Sequence, residues 1–198
     1  YDHGIGLKLP LSTRILTDSM YDESKPFLKY YNRKGNAIIT ATDELAVRIR
    51  QDFPDYQIEA SAVQDVTNYT KLEKAIDSKL YDTIVLPIYM NDDTDFLKII
   101  KDKKQIRLFL NVECSYTCPK KVCYGTTSKI NAGKEIKMQC SFWDLKMPRT
   151  FYNDEIDWST FYFDKSKFDA MGFNKYKLVP PWEDQQRTWL MYKSNSIF

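Results

Sequence analysis

Short apolar runs alternate with amphipathic helical patterns through the central part of the chain. The run at 36–42 precedes a segment with helical spacing that ends at Pro54, and the run at 56–62 precedes a second helical pattern at 68–80. The run at 82–88 is apolar almost throughout, which is typical of a strand that is covered on both faces. Strand–helix–strand units of this kind form parallel sheets with right-handed crossovers. The alternation therefore predicts an α/β fold.

The remaining patterns extend the same alternation toward both ends. We predict strands at 4–9, 106–112 and 176–179, and helices at 24–34, from Asn91-Asp92-Asp93 to 104, and at 165–171. Units of about 20 to 26 residues suit a (β/α) barrel, and no glycine-rich phosphate loop follows the first strands. The count of about six strands is below the eight of a closed barrel. Parallel β/α units that form a TIM-barrel-like or incomplete barrel are therefore expected.

One domain over 1–198 is the expected organisation, because 198 residues are enough to bury a single core. Within it, 36–112 hold the regular units, 113–150 form an irregular metal-binding cysteine loop and 151–198 are rich in aromatic residues. The formal net charge of +2 gives no general sign of a nucleic-acid or membrane-surface protein. No apolar run reaches the roughly 18 to 20 residues of a membrane span.

The first residues, Tyr1-Asp2-His3-Gly4, do not resemble a secretory signal. Because Met is absent from the first position, we expect a processed product or a fragment of a longer polypeptide. A cytoplasmic location without membrane association is expected, and the thiols would then be reduced.

All four cysteines lie within 27 residues, directly after the predicted strand at 106–112. They are Cys114, Cys118, Cys123 and Cys140. Ligand groups in parallel α/β proteins gather at the carboxyl ends of strands, and four thiolates at one point are typical of zinc or iron–sulfur sites. The wide spacing of three, four and sixteen intervening residues, with Pro119 after Cys118, favours iron–sulfur over zinc. Two disulfides or unconnected buried thiols are the other interpretations.

Three short motifs resemble the collagenase-like peptidase family (U-32). They are Glu59-Ala60-Ser61 at a strand end, the run Leu110-Asn111-Val112-Glu113-Cys114, and a late element at 172–178. The resemblance extends over 36–180 and implies a TIM-barrel-like fold with, as in several members, a four-cysteine [4Fe-4S] cluster. Such members assist oxygen-independent hydroxylation of ubiquinone precursors or of tRNA uridine. Family members usually separate the cysteines into two pairs, whereas three lie within ten residues here, so the resemblance implies the cluster but not the substrate.

Several other polar residues are predicted near the strand ends. Glu59 and Glu113 are candidate catalytic acids or bases, and Lys177 is a candidate group to hold an anion. The candidate substrate-binding residues are Ser61, Gln64, Asn91 and Asn111. The alternative for each is an ordinary polar residue that caps a helix or satisfies loop backbone, as Asn91 would at a helix start. His3 is the only histidine, which disfavours nucleophilic systems that depend on histidine.

Lysines and aromatic residues alternate in the cysteine region, an arrangement suited to gripping an RNA backbone and stacking bases. They are Lys120, Lys121, Lys129, Lys134, Lys137, Lys146, Arg149, Tyr116, Tyr124, Phe142 and Trp143. The alternative is a solvated lysine-rich loop. The C-terminal aromatic segment would pack across the barrel end or against a protein partner or second copy. It contains Trp182, Trp189, Tyr192 and Phe198.

The leading hypothesis is a [4Fe-4S] protein that carries out redox-assisted modification, such as hydroxylation, of RNA or a small aromatic metabolite. The second hypothesis is a zinc-stapled structural or binding module without catalysis, for example one subunit of a larger assembly. A third is a nucleic-acid binder whose affinity depends on salt. The sequence leaves open whether the protein is an enzyme.

Overall fold

The computed structural model describes residues 5–11, 13–111, 114–116, 118, 120–141 and 162–179. Six parallel strands form one sheet in the order β1-β2-β3-β4-β5-β6, so every strand pairs with its neighbour in sequence. The strands are β1 (Lys8–Leu11), β2 (Ala37–Thr40), β3 (Gln57–Ala60), β4 (Thr83–Val85), β5 (Ile106–Phe109) and β6 (Lys175–Lys177). The sheet curls into a half-barrel with helices between the strands, which confirms the predicted incomplete TIM-barrel-like fold.

Helices follow most of the strands. They are α1 (Asp18–Tyr31), α2 (Asp43–Asp52), α3 (Tyr69–Asp77), α4 (Thr94–Ile99), α5 (Val122–Asn131) and α6 (Lys165–Ala170), with 3-10 turns at Ala62–Gln64, Ile88–Asp92, Lys103–Gln105 and Cys114–Tyr116. In the described segments, no helix combines the length and the apolar character needed to cross a membrane.

Polar side chains fix where the first helices begin. Thr17, Thr42 and Asn68 each accept a hydrogen bond from a backbone N–H in the first turn of α1, α2 and α3, respectively. Such a cap contributes about 1 kcal/mol of helix stability. The cap at Thr42 agrees with the sequence prediction. The cap at Thr17 makes α1 begin at Asp18 rather than at 24, and Pro26 lies inside this helix.

Other boundaries also differ from the sequence prediction, since β1 covers Lys8–Leu11 rather than 4–9 and α4 ends at Ile99 rather than at 104. β4 covers only Thr83–Val85, and the end of the apolar run turns into the 3-10 segment Ile88–Asp92. The prediction that Asn91 caps the next helix was wrong, because the Asp93 carboxylate accepts the N–H of Phe96 at 2.9 Å and α4 begins at Thr94.

The cysteine region is more regular than the sequence suggested, because it contains the ten-residue helix α5. This helix lacks an obvious apolar stripe, since Thr126 and Ser128 occupy its buried positions. Their hydroxyls donate to the carbonyl oxygens of Val122 and Tyr124 at 3.1 and 2.9 Å, so the buried polar groups are satisfied inside the helix. A periodicity argument that counts apolar residues therefore misses α5.

The main core lies between the sheet and the helices. Strand residues that point to the helices are fully buried; they are Ile38, Ile58, Ala60, Ile84, Ile106 and Leu108. Leu28 of α1, Ile49 of α2 and Leu72 of α3 pack against them. Because right-handed crossovers place the helices on one side of a parallel sheet, alternate strand residues point to the opposite, inner face of the half-barrel.

The inner face combines a small apolar cluster with buried charges. Val85, Ile88 and Phe109 form the apolar cluster near the carboxyl ends of β4 and β5. Glu59 of β3 is ion-paired with Lys8 of β1 and with Arg107 of β5, and its side chain is only 4% exposed. The inner face therefore brings together charged side chains from strands that are distant in sequence.

Candidate functional site at the carboxyl edge of the sheet

A cavity of about 500 Å³ opens where the carboxyl ends of the strands meet. Its wall contains Arg14 from the segment after β1, Val63 and Asp65 from the turn after β3, and Tyr89 from the turn after β4. The segment after β5 supplies the rest of the described lining, between Tyr116 and Tyr124. This edge is where parallel β/α folds place their ligands, and the volume is in the range of small-molecule sites.

Cations dominate the cavity wall. Arg14, Lys120 and Lys121 line it, whereas Asp65 is the only carboxylate among the described lining residues. Asp65 is already shared, because its carboxylate lies 3.8 Å from the Lys121 ammonium and 3.9 Å from that of Lys71. Within the described part of the chain, neither Arg14 nor Lys120 forms an ion pair with a carboxylate, since none of the ion pairs found there includes them.

Tyrosine rings hold the cations of this wall in place. The Lys121 ammonium lies 4.1 Å from the centre of the Tyr89 ring, and the Arg14 guanidinium lies 5.7 Å from that of Tyr124. The Tyr89 hydroxyl donates to Asp65 at 2.8 Å. Burial and this hydrogen bond raise the pKa of Tyr89, so its phenol stays neutral and keeps the ring oriented. The wall is therefore ordered by contacts among its own residues.

Three of the four predicted cysteine ligands have described side chains. Cys118 lines the cavity, and its sulfur accepts the backbone N–H of Lys121 at 3.3 Å. Cys123 lies in the first turn of α5, and Cys140 lies after that helix; all three are half-buried. The pKa of Cys123 is raised by burial and then by the charges of Cys118 and Cys140, so the three sulfurs interact electrostatically.

The metal hypothesis also needs the fourth cysteine. Cys114 begins the turn Cys114–Tyr116, but its side chain lies outside the described residues. Among the side chains that are described, no group of three or more His, Cys, Asp and Glu residues is placed to hold a metal ion. The thiol chemistry of the three described cysteines suits a zinc or iron–sulfur centre, and the four-cysteine site stays a prediction.

Glu59 lies on the inner face, below the cavity rather than in its wall. Its carboxylate is paired with Lys8 and lies 3.0 Å from the Arg107 guanidinium. Lys175 extends this charged group, and burial together with the charge of Arg107 lowers its pKa. The ammonium of Lys177, the other candidate on this face, lies 5.2 Å from the centre of the Phe109 ring. The catalytic assignments of Glu59 and Lys177 stay predictions.

The predicted substrate-binding residues hold neighbouring backbone. Ser61 accepts the N–H of Val63 at 3.3 Å, and Gln64 donates to the Thr40 carbonyl at 3.0 Å. Two further contacts join β5 to its neighbours: Asn91 donates to the Phe109 carbonyl at 2.7 Å, and Asn111 exchanges two hydrogen bonds with the Val179 backbone at 2.7 and 2.8 Å. Each side chain has a structural contact of the kind that the alternative interpretation describes.

Some predicted residues lie outside the described segments. They are Glu113, His3, Phe142, Trp143, Lys146, Arg149, Trp182, Trp189, Tyr192 and Phe198. Of the proposed RNA-binding group, Lys120, Lys121, Tyr116 and Tyr124 line the cavity. Lys129, Lys134 and Lys137 are exposed and lie outside the cavity lining.

The sequence analysis did not identify Arg14, Asp65 and Tyr89 as parts of a site. One signal was available, because each follows the carboxyl end of a strand. The backbone conformation gives a second signal, which is visible only in the structure. Asp65 and Lys121 adopt left-handed conformations with φ of 59° and 47°. Non-glycine residues rarely adopt this conformation, and it is enriched at functional sites.

Comparison with known proteins identified no similar protein. No family model matches the chain, and neither the curated proteins nor the solved structures contain a significant match. The likeness to the collagenase-like peptidase family therefore depends on the short motifs described above.

Proposed function

We propose that this protein binds a metal–sulfur centre at the carboxyl edge of its half-barrel, in the manner of the iron–sulfur members of the family it resembles. The observation that carries the proposal is the position of three half-buried free cysteines, Cys118, Cys123 and Cys140, in the segment after β5, with Cys118 in the cavity wall. With Cys114 they supply the four thiolates that a [4Fe-4S] cluster takes. Zinc is the alternative metal, because it uses the same ligands.

Cations and backbone N–H groups lie beside the cysteines, whereas burial and the neighbouring sulfurs raise the pKa of Cys123 and favour its thiol in the absence of metal. The Lys121 N–H donates to the Cys118 sulfur, and Cys118 shares the cavity wall with Lys120 and Lys121. Helix α5 starts at Val122 without a side-chain cap, so the positive end of its dipole lies next to Cys123. Metal binding would displace the thiol protons, and these groups would then lie beside the resulting thiolates.

The proposed activity is redox-assisted modification, such as hydroxylation, of RNA or of a small aromatic metabolite in the cytoplasm. A [4Fe-4S] cluster would supply electron transfer when bound. The chain itself contributes the cavity beside Cys118, where Arg14 and the tyrosines position a ligand. A zinc centre would instead stabilise the fold of this region without taking part in catalysis.

Anaerobic purification followed by a visible spectrum and iron, sulfide and zinc analysis tests the proposal. We expect about four iron and four sulfide per chain and absorption near 400 nm, lost on changing Cys118 to Ser. Lys134→Ser, an exposed change in the same region, is the matched control and should keep the metal.

Each other result has a defined meaning. About one zinc per chain in a colourless sample would replace the redox function by the zinc-stapled module. A protein without metal under strict anaerobic handling would contradict both versions. Circular dichroism of Cys118→Ser separates the loss of a ligand from a loss of folding.

A further inference from the structure

The cavity wall carries positive charge that the described residues leave unbalanced. The guanidinium of Arg14 donates to the Val63 carbonyl, a neutral acceptor, and lies over the Tyr124 ring. Lys120 is exposed at the rim and belongs to none of the described ion pairs. Because two cations without carboxylate partners among the described residues line one open cavity, the wall favours an anion there.

Asp65 does not cancel this charge. Its two carboxylate oxygens lie near Lys121 and Lys71, and one of them also accepts the Tyr89 hydroxyl. Asp92 is exposed and outside the described cavity lining, and it accepts the Tyr116 hydroxyl at 2.5 Å, which orients that ring. Both carboxylates therefore position wall residues.

Aromatic rings form the rest of the wall. Tyr89, Tyr116 and Tyr124 come from two different segments and meet around the same volume. Their faces suit contact with a planar ring, and phenols add hydrogen-bonding capacity. The volume of about 500 Å³ matches a small molecule rather than a stretch of polymer.

The backbone at two wall positions supports a binding role. Asp65 and Lys121 are two of the three non-glycine residues with positive φ in the described segments. They come from different segments, after β3 and after β5, and their side-chain charges are 3.8 Å apart. A left-handed backbone costs free energy at residues other than glycine. Proteins retain it at sites where function requires a particular side-chain orientation.

We propose that this cavity binds a small anionic ligand in which a phosphate or carboxylate group adjoins a planar ring. Arg14 and Lys120 contact the anion, the three tyrosines contact the ring, and the pairing of Asp65 with Lys121 holds the wall. This inference adds a ligand class to the proposed function. Binding of the anion does not require the metal centre, but a role of the ligand as substrate rests on the proposed function.

Isothermal titration of the anaerobically purified full chain with phenyl phosphate tests the proposal. Inorganic phosphate, which lacks the ring, should bind more weakly, and binding should weaken as salt rises from about 0.02 to about 0.2 M. Arg14→Gln and Lys120→Gln should each reduce affinity about tenfold, as expected for loss of a charged hydrogen bond. Lys129→Gln, an exposed change on α5 away from the cavity, should bind like the parent.

Three outcomes would overturn the inference. The first is the absence of saturable phenyl phosphate binding up to about 10 mM at low salt. The second is a loss of affinity in Lys129→Gln that equals the loss in Arg14→Gln and Lys120→Gln. The third is tight binding of a single-stranded RNA oligonucleotide by a protein that does not bind phenyl phosphate. The last result would assign the surface to nucleic acid.

Metal content measured on the same samples separates this inference from the proposed function. A metal-loaded protein that binds no anion contradicts the ligand class alone. Anion binding by protein without metal, in the parent or in Cys140→Ser, whose side chain lies outside the described cavity lining, supports the ligand class while the metal centre fails.

Discussion

The helix-facing side of the sheet and its inner face are built from opposite kinds of residue. On the helix-facing side, Ile38, Ile58 and Ile84 are 0% exposed and contact other apolar side chains. On the inner face, Glu59 is almost as deeply buried, but it is charged and paired with the partly exposed Arg107. Both sets come from the same short strands, because successive strand residues point to opposite faces.

This contrast separates stability from specificity. Burial of apolar area stabilises the fold without requiring one exact neighbour. A buried ion pair contributes little net stability, because desolvation offsets most of the attraction, but removing one partner is costly. We therefore expect the helix-facing side to determine stability, while the inner face and the cavity above it tolerate fewer kinds of substitution.

The largest effect is expected on the helix-facing side. Ile58→Ala should lower the free energy of unfolding by about 3 kcal/mol, because it removes buried methyl groups and leaves a cavity in the core. Ile99→Ala, at a position that is 55% exposed, is the control and should change it by less than about 0.5 kcal/mol. Urea unfolding near pH 7 measures both. Equal effects would show that the core is not located where the structure places it.

Removal of the buried carboxylate tests the inner face. Glu59→Gln should cost about 2 kcal/mol, since Arg107 and Lys8 lose their anionic partner. Glu44→Gln, in a surface pair with Arg48, should cost less than about 0.5 kcal/mol. The double variant Glu59→Gln, Arg107→Met should recover part of the loss in urea unfolding. A neutral Glu59→Gln variant would refute the ion-pair description of this face.

Tyr81 is a polar exception within the apolar core, and it gives a pH dependence. Burial and its hydrogen bond to Asp43 raise its pKa above the usual 10.0. The native state therefore favours the neutral phenol, so this stabilisation is complete below pH about 10 and is lost as pH rises toward the higher native pKa. Unfolding free energies measured from about pH 8 to pH 11 should fall at the alkaline end.

Tyr81→Phe should cost about 1 kcal/mol at neutral pH, since it removes the hydrogen bond. It should also make the alkaline decline shallower. Some decline should persist, because the pKa values of Tyr21, Tyr89 and Tyr176 are raised as well. Identical slopes for the parent and Tyr81→Phe would contradict the assignment.

The smallest effects are expected from the left-handed residues. Lys79→Gly should raise the free energy of unfolding by about 0.5 to 1 kcal/mol, because φ is 54° there and glycine adopts it without strain. Lys121→Gly should stabilise less, since it also loses contacts with Asp65 and Tyr89. Only Lys121→Gly should weaken phenyl phosphate binding. If Lys79→Gly also weakened phenyl phosphate binding, the effect of Lys121→Gly on binding could not be assigned to lost contacts in the cavity wall.

Much of the fold could be predicted, because its signals are local. The caps at Thr42 and Asn68 and the apolar run at 106–112 each identify an element from neighbouring residues alone. The helix α5 could not be predicted in this way, because its buried positions carry Thr126 and Ser128, whose hydroxyls bond within the helix. The cavity was only partly predictable: Cys118 and its neighbouring lysines stood out, whereas Arg14 did not.

Local sequence patterns specify the alternation of strands and helices, the polarity of each strand position and the concentration of thiols after β5. These follow from periodicity and composition, which act over a few residues. The three-dimensional arrangement of the strands adds that β1, β3, β4 and β5 end around one cavity, and that Glu59 meets Lys8 and Arg107. Those meetings depend on strand order and curvature, and the two ion pairs of Glu59 join residues 51 and 48 positions apart in the chain.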